Sequence, residues 1–278
     1  MPDPSVKTVT HIRPEKSEGI FNLSEIWQFR SLLNQMITRN IQTRILNSPI
    51  TLVWGFIRPG IMTLAFFYIR RMANADFGAS VPYALFIFSG LCLWFLYAEI
   101  TIQVAGSINA DSALSRKVYF PRILSPISVV LARWLDCIVI VLAIVTVQLF
   151  MGVSISSSAP LIIAVMLTLL VLAFGSGLFF AALIAVHKDY RKILETILYL
   201  GLFLSPVLFS KSILPLIIQK YYIANPMVGV LTAMRGTLFE PETIDYVAWM
   251  ASVFIAAALT TIGLFMLSWA IKNHWDKV

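Results

Sequence analysis

The chain has 278 residues, 59% hydrophobic and 13% charged, with a formal net charge of +7. Its mean hydropathy is +0.83. Soluble domains carry about 25% charged residues, so this composition excludes an ordinary globular enzyme and indicates a polytopic membrane protein. No long basic patch is interleaved with aromatics, so the positive charge does not mark a nucleic-acid binder. It falls instead in the connections between apolar stretches.

Residues 1–21 are polar, contain Pro2, Pro4 and Pro14, and read as a flexible cytoplasmic tail rather than a cleavable signal. Residues 22–46 are predicted to form an amphipathic interface helix. Ile26, Phe29, Leu33, Ile37, Ile41 and Ile45 recur at helical spacing, and Arg30, Arg39 and Arg44 supply a polar face suited to anionic headgroups. Packing against a soluble partner is the alternative for this helix. Residues 47–278 form the transmembrane domain. A spanning helix needs about 20 apolar residues, and six stretches qualify, at 50–69, 84–107, 123–151, 161–186, 193–209 and 247–271. Lys and Arg concentrate in 1–49, in 108–122, in 187–192 and after 271, which places both termini in the cytoplasm. Arg70 and Arg71, just past the first span, run against that bias.

Between the second and third spans lies a compact basic connector, including Ala110, Asp111, Ser112, Leu114, Arg116 and Lys117. The bilayer core offers no water to exposed polar backbone, so this connector lies outside the lipid, where it can dock onto a soluble partner. In the fourth span Gly177, Ala181 and Ala185 leave room for a close neighbouring helix. Residues 206–235 then break the pattern. Pro206, Pro215 and Pro226 interrupt apolar pieces too short to span. Two short re-entrant helices in the outer leaflet fit this segment, with Pro215, Tyr221, Tyr222, Asn225 and Pro226 as a candidate outer gate. An extracellular amphipathic helix is the simpler alternative.

The sequence contains no GxxxxGK[ST] phosphate loop, no HExxH and no Cys/His ligand spacing, so neither a nucleotide site of that type nor a metal site is expected. Cys92 and Cys137 fall inside apolar spans and read as small hydrophobes. Four charges sit within spans: Arg58, Glu99, Arg133 and Asp136. Arg58 and Glu99 lie at a common depth, roughly 12 Å from the inner boundary. Intramembrane charges pair with one another or line a path. These four therefore either tie the spans together or present an arginine to an anionic headgroup such as a pyrophosphate, whose oxygens suit guanidinium geometry. Among the abundant aromatics, Trp54, Tyr83, Phe86 and Trp94 are candidates for stacking against sugar rings.

Several landmarks recur in a known order: Arg39-Asn-Ile-Gln-Thr-Arg44, Trp54 with Pro59, Asn109-Ala110, Lys117-Val-Tyr-Phe-Pro-Arg122 with Pro126, and Asn225-Pro226-Met227 with Arg235. In this order, over about residues 24–272, the chain resembles the transmembrane subunit of ABC-2 type polysaccharide exporters, the O-antigen, capsule and teichoic-acid permeases. The resemblance implies an all-α membrane protein with about six transmembrane helices, the N-terminal interface helix and short outer re-entrant gate helices. It implies a homodimer with two copies of a cytoplasmic ATP-binding subunit, which bind ATP and Mg in place of any cofactor on this chain. The connector around Ala110 would be the coupling helix. The cargo would be a lipid-linked glycan crossing the bacterial inner membrane, O-antigen first, then capsule or teichoic acid. A drug or lipid exporter of the same fold and an integral-membrane lipid-modifying enzyme are the competing classes.

Overall fold

The computed structural model describes residues 23–45, 49–73, 81–115, 119–239 and 244–273. The expected tail at 1–21, and Arg116 and Lys117 of the connector, lie outside the described residues. Within them every regular element is helical. The helix expected over 22–46 comes in two pieces, α1 (Leu23–Gln28) and α2 (Arg30–Ile45), joined at Phe29. Hydrogen bonds from Phe29 N–H to Glu25 and from Leu33 N–H to Phe29 carry the chain through this joint. α2 packs along the start of the third span instead of standing apart. Met36 is buried there, and the Asn40 amide donates to Ser128 Oγ at 3.1 Å.

Among the described residues four helical stretches are long and apolar enough to cross a membrane: Tyr83–Ala110, Leu124–Phe150, Ala159–Val186 and Tyr246–Asn273. The first of these is α4 and the last is α12. α3 (Pro49–Ala73) corresponds to the first expected span and runs 25 residues despite Pro59 in its interior. The fifth expected span differs more. α9 (Tyr190–Leu204) stops after 15 residues, about 22 Å of helix against a hydrocarbon core of about 30 Å. It ends because Ser205 turns to extended backbone just before Pro206, the residue type that disfavours helix in its predecessor.

The third expected span, 123–151, is also interrupted. It divides into α6 (Leu124–Ala132) and α7 (Trp134–Phe150) at Arg133. There the Arg133 N–H reaches only three residues back, to Val130, giving one tight turn in the helix. Pro126 sits in the first turn of α6 and is not the cause.

α8 (Ile162–Val186) forms the centre of the bundle, packed along α12 on one side and α4 on the other. Small residues permit both contacts. A methyl added at Gly175 would come 2.6 Å from the backbone nitrogen of Thr260 on α12, and one at Gly177 would strike Val104 of α4. Ala181 and Ala185 are buried as expected for that stripe. Buried hydroxyls stitch α4 to α8, with Tyr97 donating to Ser176 Oγ at 3.2 Å. After α9 come two short helices, α10 (Leu216–Tyr222) and α11 (Pro226–Leu238). α11 is almost wholly enclosed, its Gly229 pressed against Ala248 and Ser252 of α12.

Candidate functional site

The connector folds as a short elbow. α4 ends at Ala110, and α5 (Ser112–Ser115) is a single turn closed by the N–H groups of Leu114 and Ser115 on the Asp111 carbonyl. α1 and α2 brace it. Arg39 donates to Asp111 at 2.8 Å, and on the far side Tyr119 donates to Glu25 at 3.2 Å. Phe120 and Pro121 are buried, which anchors the exit from the elbow in the bundle. Leu114 remains half-exposed.

One helical layer deeper, three of the four expected intramembrane charges meet, and a fourth member comes from a residue assigned from sequence only to a polar surface. Arg44, near the end of α2, donates through Nε to Asp136 at 2.8 Å and through Nη1 to Glu99 at 2.9 Å. Arg133 donates to the other Asp136 oxygen at 2.6 Å, lies 3.3 Å from Glu99 and receives Gln103 as a further acceptor at 3.1 Å. Two guanidinium groups thus share two carboxylates, and the cluster is formally neutral. Arg133 and Asp136 are buried at 2% and 3% exposure, while the Glu99 side chain is 39% exposed. The tight turn at Arg133 brings these two groups together at i,i+3. The network joins α2, α4 and the α6–α7 junction.

The expected pairing of Arg58 with Glu99 is not formed. Glu99 is engaged by Arg44 and Arg133, and the Arg58 guanidinium instead lies over the Phe95 ring, 4.1 Å from its centroid. Charge matching explains the difference. Glu99 and Asp136 need two cations, and Arg44 arrives from α2 at a position that Arg58 on α3 does not reach. The signal was present in Arg39-Asn-Ile-Gln-Thr-Arg44, whose two arginines turn out to hold Asp111 and the carboxylate pair respectively.

Arg58 opens onto a cavity of about 430 Å³ between α3, α4 and α9. Trp54, Trp94 and Phe95 line it from α3 and α4, and Tyr199 and Phe203 line it from α9. Glu99 and Glu195 complete its polar lining. Glu195 pairs with Arg191 at 3.4 Å, and Glu99 belongs to the network, so Arg58 is the cation in this groove without an ion pair among the described residues. Trp94 reaches the groove because α9 carries Gly201 opposite it; a methyl there would lie 2.9 Å from the indole. Aromatic walls around one uncommitted guanidinium can hold a sugar face and an anionic oxygen together.

Tyr83 and Phe86, also expected to stack on sugar, lie elsewhere. Both are buried at the opposite end of α4 from the elbow. Tyr83 donates to the Leu208 carbonyl at 3.3 Å under the Arg70 guanidinium, and Phe86 lies beneath Arg235. Arg235 is itself a buried tie. It donates to the carbonyls of Pro206, Val207 and Phe86 at 2.7, 3.2 and 3.1 Å, and Gly90 leaves the space that the guanidinium occupies.

The candidate gate residues take distinct positions. Pro215 caps α10, Tyr221 is exposed and Tyr222 is half-buried. Asn225 caps α11 by accepting from the Met227 N–H at 3.0 Å and also donates to Ser205 Oγ at 2.8 Å. Pro226 occupies the first turn, and its carbonyl accepts from Ser252 of α12 at 2.6 Å. Asn225-Pro226 therefore wires the end of α9 to α11 and α12. Among the described residues no three His, Cys, Asp or Glu side chains gather into a metal-ligand arrangement.

The family profile described as ABC-2 type transporter matches residues 31–239. The chain is 22% identical over 238 residues to the O-antigen export system permease protein RfbA of Klebsiella pneumoniae, covering 84% of this chain and 89% of that one. It is 24% identical over 241 residues to the polysialic acid transport protein KpsM of Escherichia coli, covering 81% and 90%. It is also 24% identical over 245 residues to the capsule polysaccharide export inner-membrane protein CtrC of Neisseria meningitidis, covering 86% and 91%. With an all-helical bundle, membrane-length apolar helices and a match over most of its length, the chain belongs to the ABC-2 type transporter membrane family.

Proposed function

We propose that this chain is the permease subunit of an ATP-driven exporter that moves a lipid-linked polysaccharide across the bacterial inner membrane, with O-antigen as first cargo and capsule or teichoic acid as alternatives. The carrying observation is the aromatic groove with its uncommitted Arg58, set beside the interface helix in a chain whose relatives export O-antigen and capsule glycans. Arg58 takes the phosphate oxygens of the carrier lipid, and Trp54, Trp94, Tyr199 and Phe203 take the first sugar faces. Tyr83 and Phe86 have no part in that contact.

Two copies of the chain assemble around the path, each with one cytoplasmic ATP-binding subunit that holds ATP and Mg. Residues 1–21 are the tail, 22–46 the interface helix and 47–278 the transmembrane domain, with both termini cytoplasmic and six membrane-embedded segments. Two of these segments are α3 and the short α9. The elbow around Ala110, Asp111, Ser112 and Leu114, continued by Arg116 and Lys117, receives the stroke of the ATPase. The Arg39–Asp111 ion pair supports a second output: movement of the elbow pulls on α2 and so on the wall of the groove. α10 and α11, with Pro215, Tyr221, Tyr222, Asn225 and Pro226, form the outer gate.

The test is surface glycan in cells whose only copy carries Leu114→Asp. Normal membrane insertion with loss of surface glycan and of cargo-stimulated ATPase activity is expected. Unchanged export refutes the coupling assignment, and intact surface glycan on deletion of the gene refutes the cargo.

A further inference from the structure

Glu99 belongs to two structures at once. It lines the aromatic groove with Arg58, and it is one of the two carboxylates in the charge network behind that groove. The network members are unequally held. The side chains of Arg133, Asp136 and Arg44 are 2%, 4% and 15% exposed, whereas that of Glu99 is 39% exposed. Arg44 grips Glu99 through Nη1 at 2.9 Å. The other grip is poor: Arg133 Nη2 lies 3.3 Å from the same carboxylate oxygen, yet it is shut off from solvent with no hydrogen-bond partner. Asp136 is enclosed and bonded by both arginines, so it stays in place.

An oxyanion drawn into the groove by Arg58 meets the Glu99 carboxylate in the same cavity. Like charges repel strongly where apolar walls lower the dielectric, and Glu99 is the member with room to turn aside. Arg44 is then left with Asp136 alone. That loss reaches the elbow through α2. Arg44 and Arg39 stand five residues apart on this helix, about 7.5 Å along its axis, and Arg39 holds Asp111 at 2.8 Å. Between them Asn40 is bonded to Ser128 of α6, a fixed point about which the end of α2 can turn. The Asp111 carbonyl in turn accepts the two N–H groups that close α5.

We infer that Glu99 is a cargo sensor: an anionic headgroup in the groove displaces its carboxylate from Arg44, and α2 carries the change through Arg39 and Asp111 to the elbow. ATP hydrolysis by the partner subunit therefore rises when the groove is loaded. This inference rests on the groove and elbow roles given under Proposed function and adds the signal that runs from the first to the second.

The experiment measures ATP hydrolysis by the purified complex of permease and ATP-binding subunit in lipid nanodiscs, with and without a disaccharide linked to a polyprenyl diphosphate. Glu99→Gln keeps the shape of the side chain and removes its charge. Its cargo-free rate is expected to rise to the probe-stimulated rate of wild type, with little further response to the probe. Damage to the fold would lower the rate, so the sign separates a sensor from a structural tie. Arg39→Gln is expected still to bind the probe, read by tryptophan fluorescence, but to show no stimulation. Combining Arg39→Gln with Glu99→Gln should return the rate to the unstimulated level. A cargo-free rate in Glu99→Gln at or below that of wild type, or full stimulation in Arg39→Gln, overturns the relay. Stimulation of wild type by the same disaccharide on a polyprenol without the diphosphate overturns the anion as the trigger. A probe without effect on wild type counts against the cargo reading instead, and the cargo-free comparison still decides the relay.

Discussion

Replacing Asp136 with Asn is the most informative perturbation of the charge network. Asp136 is 3% exposed and accepts one charged hydrogen bond from Arg44 at 2.8 Å and one from Arg133 at 2.6 Å. Its loss leaves two guanidinium groups to share Glu99, one of them on the 2%-exposed Arg133. Removing one partner of a buried ion pair costs about 3–5 kcal/mol, mostly from the charge left behind. At roughly 2–4 °C per kcal/mol for a chain of this size, Tm should fall by roughly 10 °C. Glu99→Gln is milder, about 1–2 kcal/mol, because the Glu99 side chain is 39% exposed and water screens the imbalance. The assay is thermal unfolding of the purified full-length protein in detergent, with Arg133→Met combined with Asp136→Leu as the double variant. The double variant should recover much of the loss, since an apolar pair of similar volume replaces a buried ion pair at little cost. If Asp136→Asn unfolds within about 2 °C of wild type, the carboxylate is not compensating buried charge and the argument fails.

Arg58→Ala should reduce glycan export about tenfold or more while moving Tm by less than about 2 °C, because the residue is exposed and makes no ion pair among the described residues. Adding Glu99→Gln should not rescue it; rescue in cell-surface glycan assays would restore the Arg58–Glu99 pair that the structure lacks. A pH dependence is expected at Asp245. Burial alone would raise its carboxyl, but hydrogen bonds from Lys211 and from the Ala248 N–H, at 3.0 Å for the latter, hold it below the usual range. A depressed folded value means stabilisation present above the unfolded pKa of about 3.9 and lost as pH falls through the folded value. The stability gap between wild type and Asp245→Asn should therefore be small but measurable at pH 7, about 0.5–1 kcal/mol, and should close under acid; a gap that widens contradicts the sign. Gly175→Ala should destabilise by about 1–3 kcal/mol through collision with Thr260. Gly106→Ala, whose added methyl meets nothing within 4 Å, should be neutral or stabilising by up to about 1 kcal/mol. Equal effects in unfolding assays would mean that α8 and α12 are not in close contact.

Several features were legible without coordinates because they rest on local chemistry. Hydrophobic length located α4, α8 and α12, and prolines located the short pieces α10 and α11. The polar run after residue 108 located the elbow, and Gly177, Ala181 and Ala185 announced a buried face. The groove was half legible: Arg58 and Glu99 both line it, as their common depth suggests, and Trp54 and Trp94 join them, whereas Tyr83 and Phe86 lie eleven and eight residues before Trp94 on the same helix, towards its other end. Tyr199 and Phe203 were missed because nothing local distinguishes an inward aromatic on α9 from a lipid-facing one.

Composition and spacing alone determine that this chain is helical, membrane-embedded and interrupted by a charged elbow, because burial in hydrocarbon constrains every residue of a span in the same way wherever its neighbours lie. The partners of its buried charges are a different matter. Which arginine neutralises Glu99 and Asp136 depends on side chains 55 and 92 residues away in sequence. Only the packing of α2 across α4 and the broken α6–α7 helix brought Arg44 to them and left Arg58 free for the groove.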